Sequence, residues 1–164
     1  MNTPSFEYAS PATLDEAVAL LSRNPTARPL AGGQSLVVDL KFNRKSPALL
    51  VDLRRLGALK AISLPAHAAD PEPAQAAAKA TMVIDLSGSN AGLPGITIGA
   101  LATCSEIAEH TRILTRYTAL ADAARSVGDP QVRNMSTLGG ALAQNDPAGD
   151  LPAAVMALGG TIQV

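Results

Sequence analysis

The sequence predicts a mixed fold of helices and strands, one domain or two small lobes, that opens on a small βαβ-like lobe. Three observations carry this expectation. Helix and strand patterns alternate as far as Leu53, which marks a βαβ-like lobe. Two short β-branched runs, 82–86 and 96–99, then follow one another around a Gly/Ser/Asn/Pro turn with no helix between them. Two stretches far apart in the chain place hydroxyls beside paired glycines, at Gly32-Gly33 and at Gly139-Gly140.

Residues 6–9 read as an opening strand, closed by Ser10-Pro11. Thr13 and Glu16 have capping-box spacing, with Leu14, Ala17, Val18 and Leu21 on one face of the helix they open. Asn24-Pro25 stops that helix. Arg28-Pro29-Leu30 then runs as a strand into Ala31-Gly32-Gly33-Gln34-Ser35, and a helix with Ser35 as its N-cap extends to about Asn43. The unbroken apolar run at 48–53 predicts a buried strand, and 59–64 a weaker one.

Residues 65–80 are rich in Ala and Pro and read as an exposed insertion, with His67 solvated. Thr103 and Glu106 form a second capping box, leading a helix to about Thr111; His110 near its end is expected to meet the helix dipole. A helix spans 117–127 and stops at Gly128-Asp129-Pro130, and the second glycine stretch follows as a loop. A short helix covers about 151–158. Thr161-Ile162-Gln163-Val164 starts a strand that either pairs at a sheet edge or is cut before its partner.

Composition excludes several classes. The 164 residues carry 13 basic and 14 acidic side chains with no basic run, which argues against nucleic acid and against a polybasic membrane patch. No apolar run reaches the ~18 residues of a transmembrane helix and no signal peptide is evident, so a soluble cytoplasmic chain is expected. The single cysteine, Cys104, allows neither a disulfide framework nor an iron–sulfur cluster held by this chain's own cysteines. It is expected to be a buried small residue rather than an activated thiol, although it falls in a helix's first turn.

Paired glycines permit positive φ and close approach of a ligand to the peptide planes, and successive free N–H groups there form an anion-binding concavity. Alone, the first stretch reads most simply as a turn with a helix cap. The second stretch, Asn134-Met135-Ser136-Thr137-Leu138-Gly139-Gly140, repeats its chemistry, and two such loops could close on one extended phosphate-bearing ligand. Gly-x-Gly-x-x-Gly, the P-loop pattern and Gly-x-Ser-x-Gly are all absent. Arg133 and Asn134 could contact phosphate or hold the loop's backbone. Asp146 could cap a helix opened by Pro147, with Asp150 exposed, or the two could accept from ribose or ribityl hydroxyls. With no acid–base pair, nucleophile or metal cluster in view, the chemistry is expected to come from a cofactor.

Taken together, the motifs resemble those of a known family. Pro29-Leu30-Ala31-Gly32-Gly33-Gln34-Ser35-Leu36 resembles the first flavin loop of the medium, FAD-binding subunit of molybdenum hydroxylases, the carbon monoxide dehydrogenase and xanthine dehydrogenase group. Ile98-Gly99-Ala100-Leu101-Ala102-Thr103 is similar to its middle motif. Val132-Arg133-Asn134-Met135-Ser136-Thr137-Leu138-Gly139-Gly140, with Asp146-Pro147 and Asp150-Leu151-Pro152, resembles its second flavin loop. Ala141 departs from the asparagine or serine common there.

The resemblance implies an α+β, PCMH-type FAD-binding domain of two subdomains, a βαβ-like one at residues 1–56 and the incomplete start of a larger mixed α/β one at 57–164, with non-covalent FAD in the cleft between them. Ala31, Gly32, Gly33, Gln34 and Ser35 would wrap the pyrophosphate, with Leu30 and Leu36 beside them as further cofactor-binding residues. Thr103, Asn134, Thr137, Gly139 and Gly140 would add contacts, and Asp150 would face ribityl or ribose hydroxyls. It implies partners too: a molybdopterin-binding large subunit and a small subunit with two [2Fe–2S] clusters, passing electrons to FAD and on to a terminal acceptor. The family continues beyond Val164, so a truncated chain is expected. A non-catalytic assembly module without flavin is the alternative; a stand-alone flavin oxidoreductase is disfavoured because no substrate acid or base appears.

Overall fold

The computed structural model describes residues 3–63, 83–86 and 95–163. The expected insertion at 65–80, His67, the start of the strand at Met82 and the turn after Leu86 lie outside the described residues. The chain divides into two compact units, Met1–Gly57 and Ala58–Val164.

In the first unit, β1 (Glu7–Ala9), β2 (Arg28–Leu30) and β3 (Leu49–Asp52) form a parallel sheet in the order β1-β3-β2. All four residues of β3 are buried, as a central strand requires, and this explains its unbroken apolar run. Helix α1 (Leu14–Arg23) begins where Thr13 accepts from the Glu16 N–H. The Glu16 carboxylate reaches back to the Ala12 N–H at 3.0 Å, closing the first turn. Helix α2 (Leu36–Lys41) is short and ends before Asn43, which takes φ 53°. Ser35 does not cap it as expected: its backbone is already helical (φ −100°, ψ −49°), so its hydroxyl makes no cap bond.

In the second unit, β4 (Ile62–Ser63), β5 (Val83–Asp85), β6 (Thr97–Gly99) and β7 (Thr161–Gln163) form an antiparallel sheet in the order β4-β6-β5-β7. Six helices pack with it: α3 (Cys104–Glu109), α4 (Thr111–Arg116), α5 (Thr118–Ser126), α6 (Pro130–Met135), α7 (Leu138–Gln144) and α8 (Asp150–Ala157). Ile84, Leu86, Ile96 and Ile98 from the sheet meet Ile107, Ile113, Tyr117, Leu120, Leu138 and Val155 in one core. Helices gathered on an antiparallel sheet give the α+β class that the resemblance implies. β7 pairs with β5 at the sheet edge, the first of the two outcomes expected for it.

Four local expectations are corrected. Residues 57–60 form a single 3-10 turn, in which the Leu59 carbonyl accepts from the Leu101 N–H, and among the described residues of the expected strand Ile62–Ser63 are extended. The helix after Thr103 stops at Glu109: His110 turns extended (ψ 115°), and a second helix restarts to bury Ile113. The stretch after Gly128 is not a loop but two helices. Asp129 caps α6 through the Val132 N–H with Pro130 at its first position, and the glycine pair lies inside the first turn of α7. Asp146 caps no helix; it accepts from the Ala148 N–H, and α8 begins only at Asp150.

Gly99 is where these pieces approach most closely. A Cβ built there would lie 2.2 Å from the Leu59 carbonyl oxygen, whereas one at Gly57 would meet nothing within 4 Å. Gly99→Ala is therefore expected to lose about 2 kcal/mol or more of stability in urea denaturation, from overpacking against backbone. Gly57→Ala should stay within about 0.5 kcal/mol of wild type.

Candidate functional site

The first glycine motif stands at the C-terminal edge of the parallel sheet, where open α/β sheets receive ligands. Leu30 ends β2, and its carbonyl accepts from the Leu53 N–H at 2.9 Å, tying the start of the turn to the end of β3. Of the glycine pair, Gly33 has the positive φ, 75°. A Cβ there would stand 3.2 Å from both the Leu30 Cδ1 and the Val37 Cγ2, so Gly33 is fixed by conformation and by space. Its carbonyl accepts from Val37, and that of Ser35 from Asp39. The donors behave differently. Among the described residues, the N–H groups of Ala31, Gly32, Gly33, Gln34, Ser35 and Leu36 donate to no protein acceptor. Gln34 and Ser35 are exposed, and the other four are half-buried.

The second motif has the opposite character. Thr103 and Thr137 face one another in an isolated antiparallel bridge. Cys104 N–H donates to the Ser136 carbonyl, Leu138 N–H to Ala102, and Gly139 N–H to Ala100. The Gly140 N–H donates to the Thr137 hydroxyl at 3.2 Å. A Cβ at Gly139 would come within 2.6 Å of the Ala100 Cβ and 2.7 Å of its oxygen. Gly139 thus lets α7 dock on the 100–102 segment, and both glycine amides are engaged inside the protein. Thr103 closes its capping box with Glu106: its N–H and its hydroxyl both donate to the Glu106 carboxylate, at 2.7 and 2.8 Å.

Arg133 holds backbone, but that of the preceding helix end rather than of its own loop. Its Nη1 donates to the carbonyls of Val127 at 3.1 Å and Gly128 at 3.2 Å, closing the C-terminal end of α5. Asn134 is exposed on α6. Asp150 is exposed and accepts from the Ser126 hydroxyl at 2.6 Å. Cys104 is fully buried, and burial pushes its thiol up to about 11, so it is no nucleophile at neutral pH. His110 sits below its ordinary value because burial disfavours the charged ring, the opposite of the expected stabilisation by a helix dipole. Among the described residues no group of three His, Cys, Asp or Glu could hold a metal, and no helix is long and apolar enough to cross a membrane.

Sequence reasoning missed one cluster at the same sheet edge as the first glycine motif. Asp52, 3% exposed, ends β3. Its carboxylate accepts from the Tyr8 hydroxyl, from the Arg54 backbone N–H, and from the Arg54 Nε and Nη2 at 3.0 and 2.7 Å. Burial pushes this carboxyl up, but the bonds from Arg54 and Tyr8 outweigh that and bring it to about 2. The signal was present: an acid ending an apolar run needs a cation, and Arg54 follows two residues later.

These features define the class: an α+β chain of two units, each with a glycine pair beside a hydroxyl, lacking the Rossmann and P-loop patterns. Within that class the chain belongs to the family described as FAD binding domain in molybdopterin dehydrogenase, which matches residues 4–70 and 75–164. It is 34% identical over 162 residues to the glyceraldehyde dehydrogenase medium chain of Sulfolobus acidocaldarius, covering 99% of this chain and 48% of that one. Identity to the carbon monoxide dehydrogenase medium chain of Afipia carboxidovorans is 30%, over 98% of this chain and 46% of that one. Reconstituted CO dehydrogenase from Oligotropha carboxidovorans superposes with a TM-score of 0.72 at 32% identity, covering 93% of this chain and 44% of that one. The chain spans about half the length of these curated relatives. FAD is the cofactor, as expected. The first motif fits it: a run of unengaged amides around a turn that a side chain at Gly33 would fill suits the pyrophosphate.

The Asp52 shift fixes a pH dependence. A carboxyl whose folded value, about 2, lies below its ordinary 3.8 adds stability above 3.8 that is lost as pH falls through 2. The contribution is about 2 kcal/mol at neutral pH. Asp52→Asn should be less stable by about that amount at pH 7. The urea midpoints of wild type and of the Asp52→Asn variant should converge as pH falls from about 4 to about 2.

Proposed function

We propose that this chain carries the FAD of a molybdenum hydroxylase-type oxidoreductase, receiving electrons from molybdopterin through [2Fe–2S] clusters and passing them to a terminal acceptor. The observation that carries this is the run of unengaged amides from Ala31 to Leu36 within the first flavin motif. Bound there, FAD supplies the chemistry of taking up an electron pair and releasing it singly or together.

The chain's own residues bind and orient. The amides of Ala31, Gly32, Gly33, Gln34, Ser35 and Leu36 receive the pyrophosphate oxygens, and the Ser35 hydroxyl and Gln34 amide add side-chain bonds. The second unit contributes Thr103, Asn134, Thr137, Gly139, Gly140 and Asp150. Because the Gly139 and Gly140 amides already have acceptors, this motif acts through shape: buried Gly139 docks α7 on Ala100, and half-buried Gly140 adds no side chain beside it. Asn134 and Asp150 supply the polar side chains, for carbonyl or hydroxyl groups of the cofactor.

The residue inventory supports partner subunits. Cys104 is the single cysteine of these residues and is buried, so these residues do not themselves ligate the clusters. No general acid or base pair stands at the motifs among the described residues, which supports substrate oxidation on a large molybdopterin-binding partner. The relatives' naming as medium chains supports that division.

Titration with FAD, followed by quenching of flavin fluorescence, tests this directly. Wild type is expected to bind saturably and to release all its flavin on acid precipitation. Gly33→Val should weaken binding at least about tenfold, because a β-branched residue at φ 75° costs on the order of 1–3 kcal/mol in the turn. A chain that takes up no FAD would contradict the proposal and leave an assembly module in its place.

A further inference from the structure

Among the guanidinium groups of the first unit, that of Arg54 is held most rigidly. Its Nε and Nη2 make a fork onto the buried Asp52 carboxylate, at 3.0 and 2.7 Å, the bidentate geometry that fixes a guanidinium plane. Its Nη1 has no protein acceptor among the described residues, and the side chain remains 51% exposed. The neighbouring arginines differ. Arg28 turns its Nη1 onto the carbonyls of Pro25 and Ala27, and Arg55 reaches back to the carbonyl of Ser10.

Topology sets this group beside the glycine turn. Leu30 is directly paired with Asp52, so both side chains leave the same face of the sheet at its C-terminal edge. Tyr8 is paired with Leu50 and therefore shares that face, as its bond to Asp52 requires. Gly33 folds back over Leu30, since a Cβ on it would touch Leu30 Cδ1. The backbone bond from Leu53 to Leu30 joins the two exits from the sheet. The unengaged amides after β2 and the Arg54 guanidinium after β3 thus stand at one edge and on one face.

We propose that Arg54 is a cofactor-binding residue whose Nη1 pairs with the diphosphate held by the glycine turn, and that Asp52 and Tyr8 are positioning residues which aim it. This rests on the flavin reading and extends it, because six neutral amides leave the double negative charge of a diphosphate without a counter-cation. The Asp52 fork lowers the ordering cost, since the guanidinium is immobilised before the ligand arrives.

The test compares FAD with riboflavin, which has the same ring system and no phosphate. Both are titrated into wild type, Arg54→Gln and the double variant Asp52→Asn/Arg54→Gln, which removes the buried charge along with its partner and so protects the fold. Circular dichroism confirms folding of each. The expected result is a loss of about tenfold or more in FAD affinity in both variants, with riboflavin affinity changed less than about twofold. The salt dependence of FAD binding should also become shallower by about one ion. Equal losses for FAD and riboflavin, or an unchanged FAD affinity, would overturn the assignment of Arg54 alone. Absence of FAD binding in wild type would overturn the flavin reading and this one with it.

Discussion

A buried carboxylate at the end of a central strand constrains the whole first unit. Asp52 lies at the tip of β3 with 3% exposure, and a bare charge there would cost several kcal/mol. Its oxygens are satisfied from both sides in sequence, by Tyr8 from β1 and by Arg54 just beyond β3. That arrangement fixes where β1 and β3 end. The Leu53–Leu30 bond then fixes where β2 ends, and so where the glycine turn begins. Amides that leave the sheet at a defined point, with Gly33 at φ 75°, can be aimed at a ligand. The same residues in a floppy loop would be satisfied by one another or by water.

The two glycine motifs look alike in sequence and differ in physics. At the first, the glycine pair releases donors. At the second, Gly139 removes a Cβ that would collide with Ala100, and its amide closes the joint between α7 and the segment after β6. Thr137 caps the helix, and Arg133 closes the end of α5. One motif leaves its amides without protein acceptors, and the other is a tightly packed joint.

Much of this was legible from residue types alone. The helix cap at Thr13, the capping box at Thr103, the buried run at Leu49–Asp52 and the antiparallel pairing of β5 and β6 all follow from local chemistry. The family motifs are local as well. The misses share a cause. α4 exists because Ile113 is drawn into the core, and Ser35 caps nothing because the turn already winds its backbone into the helical region. Whether an amide in a glycine motif is free depends on a carbonyl about forty residues away, as with Gly139 and Ala100. Gly128-Asp129-Pro130 does stop α5 as expected, but Asp129-Pro130 also starts α6, and Pro carries both signals.

The most direct measurement of the central claim is an amide-resolved ¹H–¹⁵N correlation spectrum of the chain with and without FAD. The amides of Gly32, Gly33, Gln34 and Ser35 are expected to move downfield and to exchange more slowly with solvent. Gly139 and Gly140, whose bonds are already made, should be protected before FAD is added and gain little protection from it. Unprotected amides at Gly139 and Gly140 that become protected only with FAD, with no change from Gly32 to Ser35, would contradict that claim.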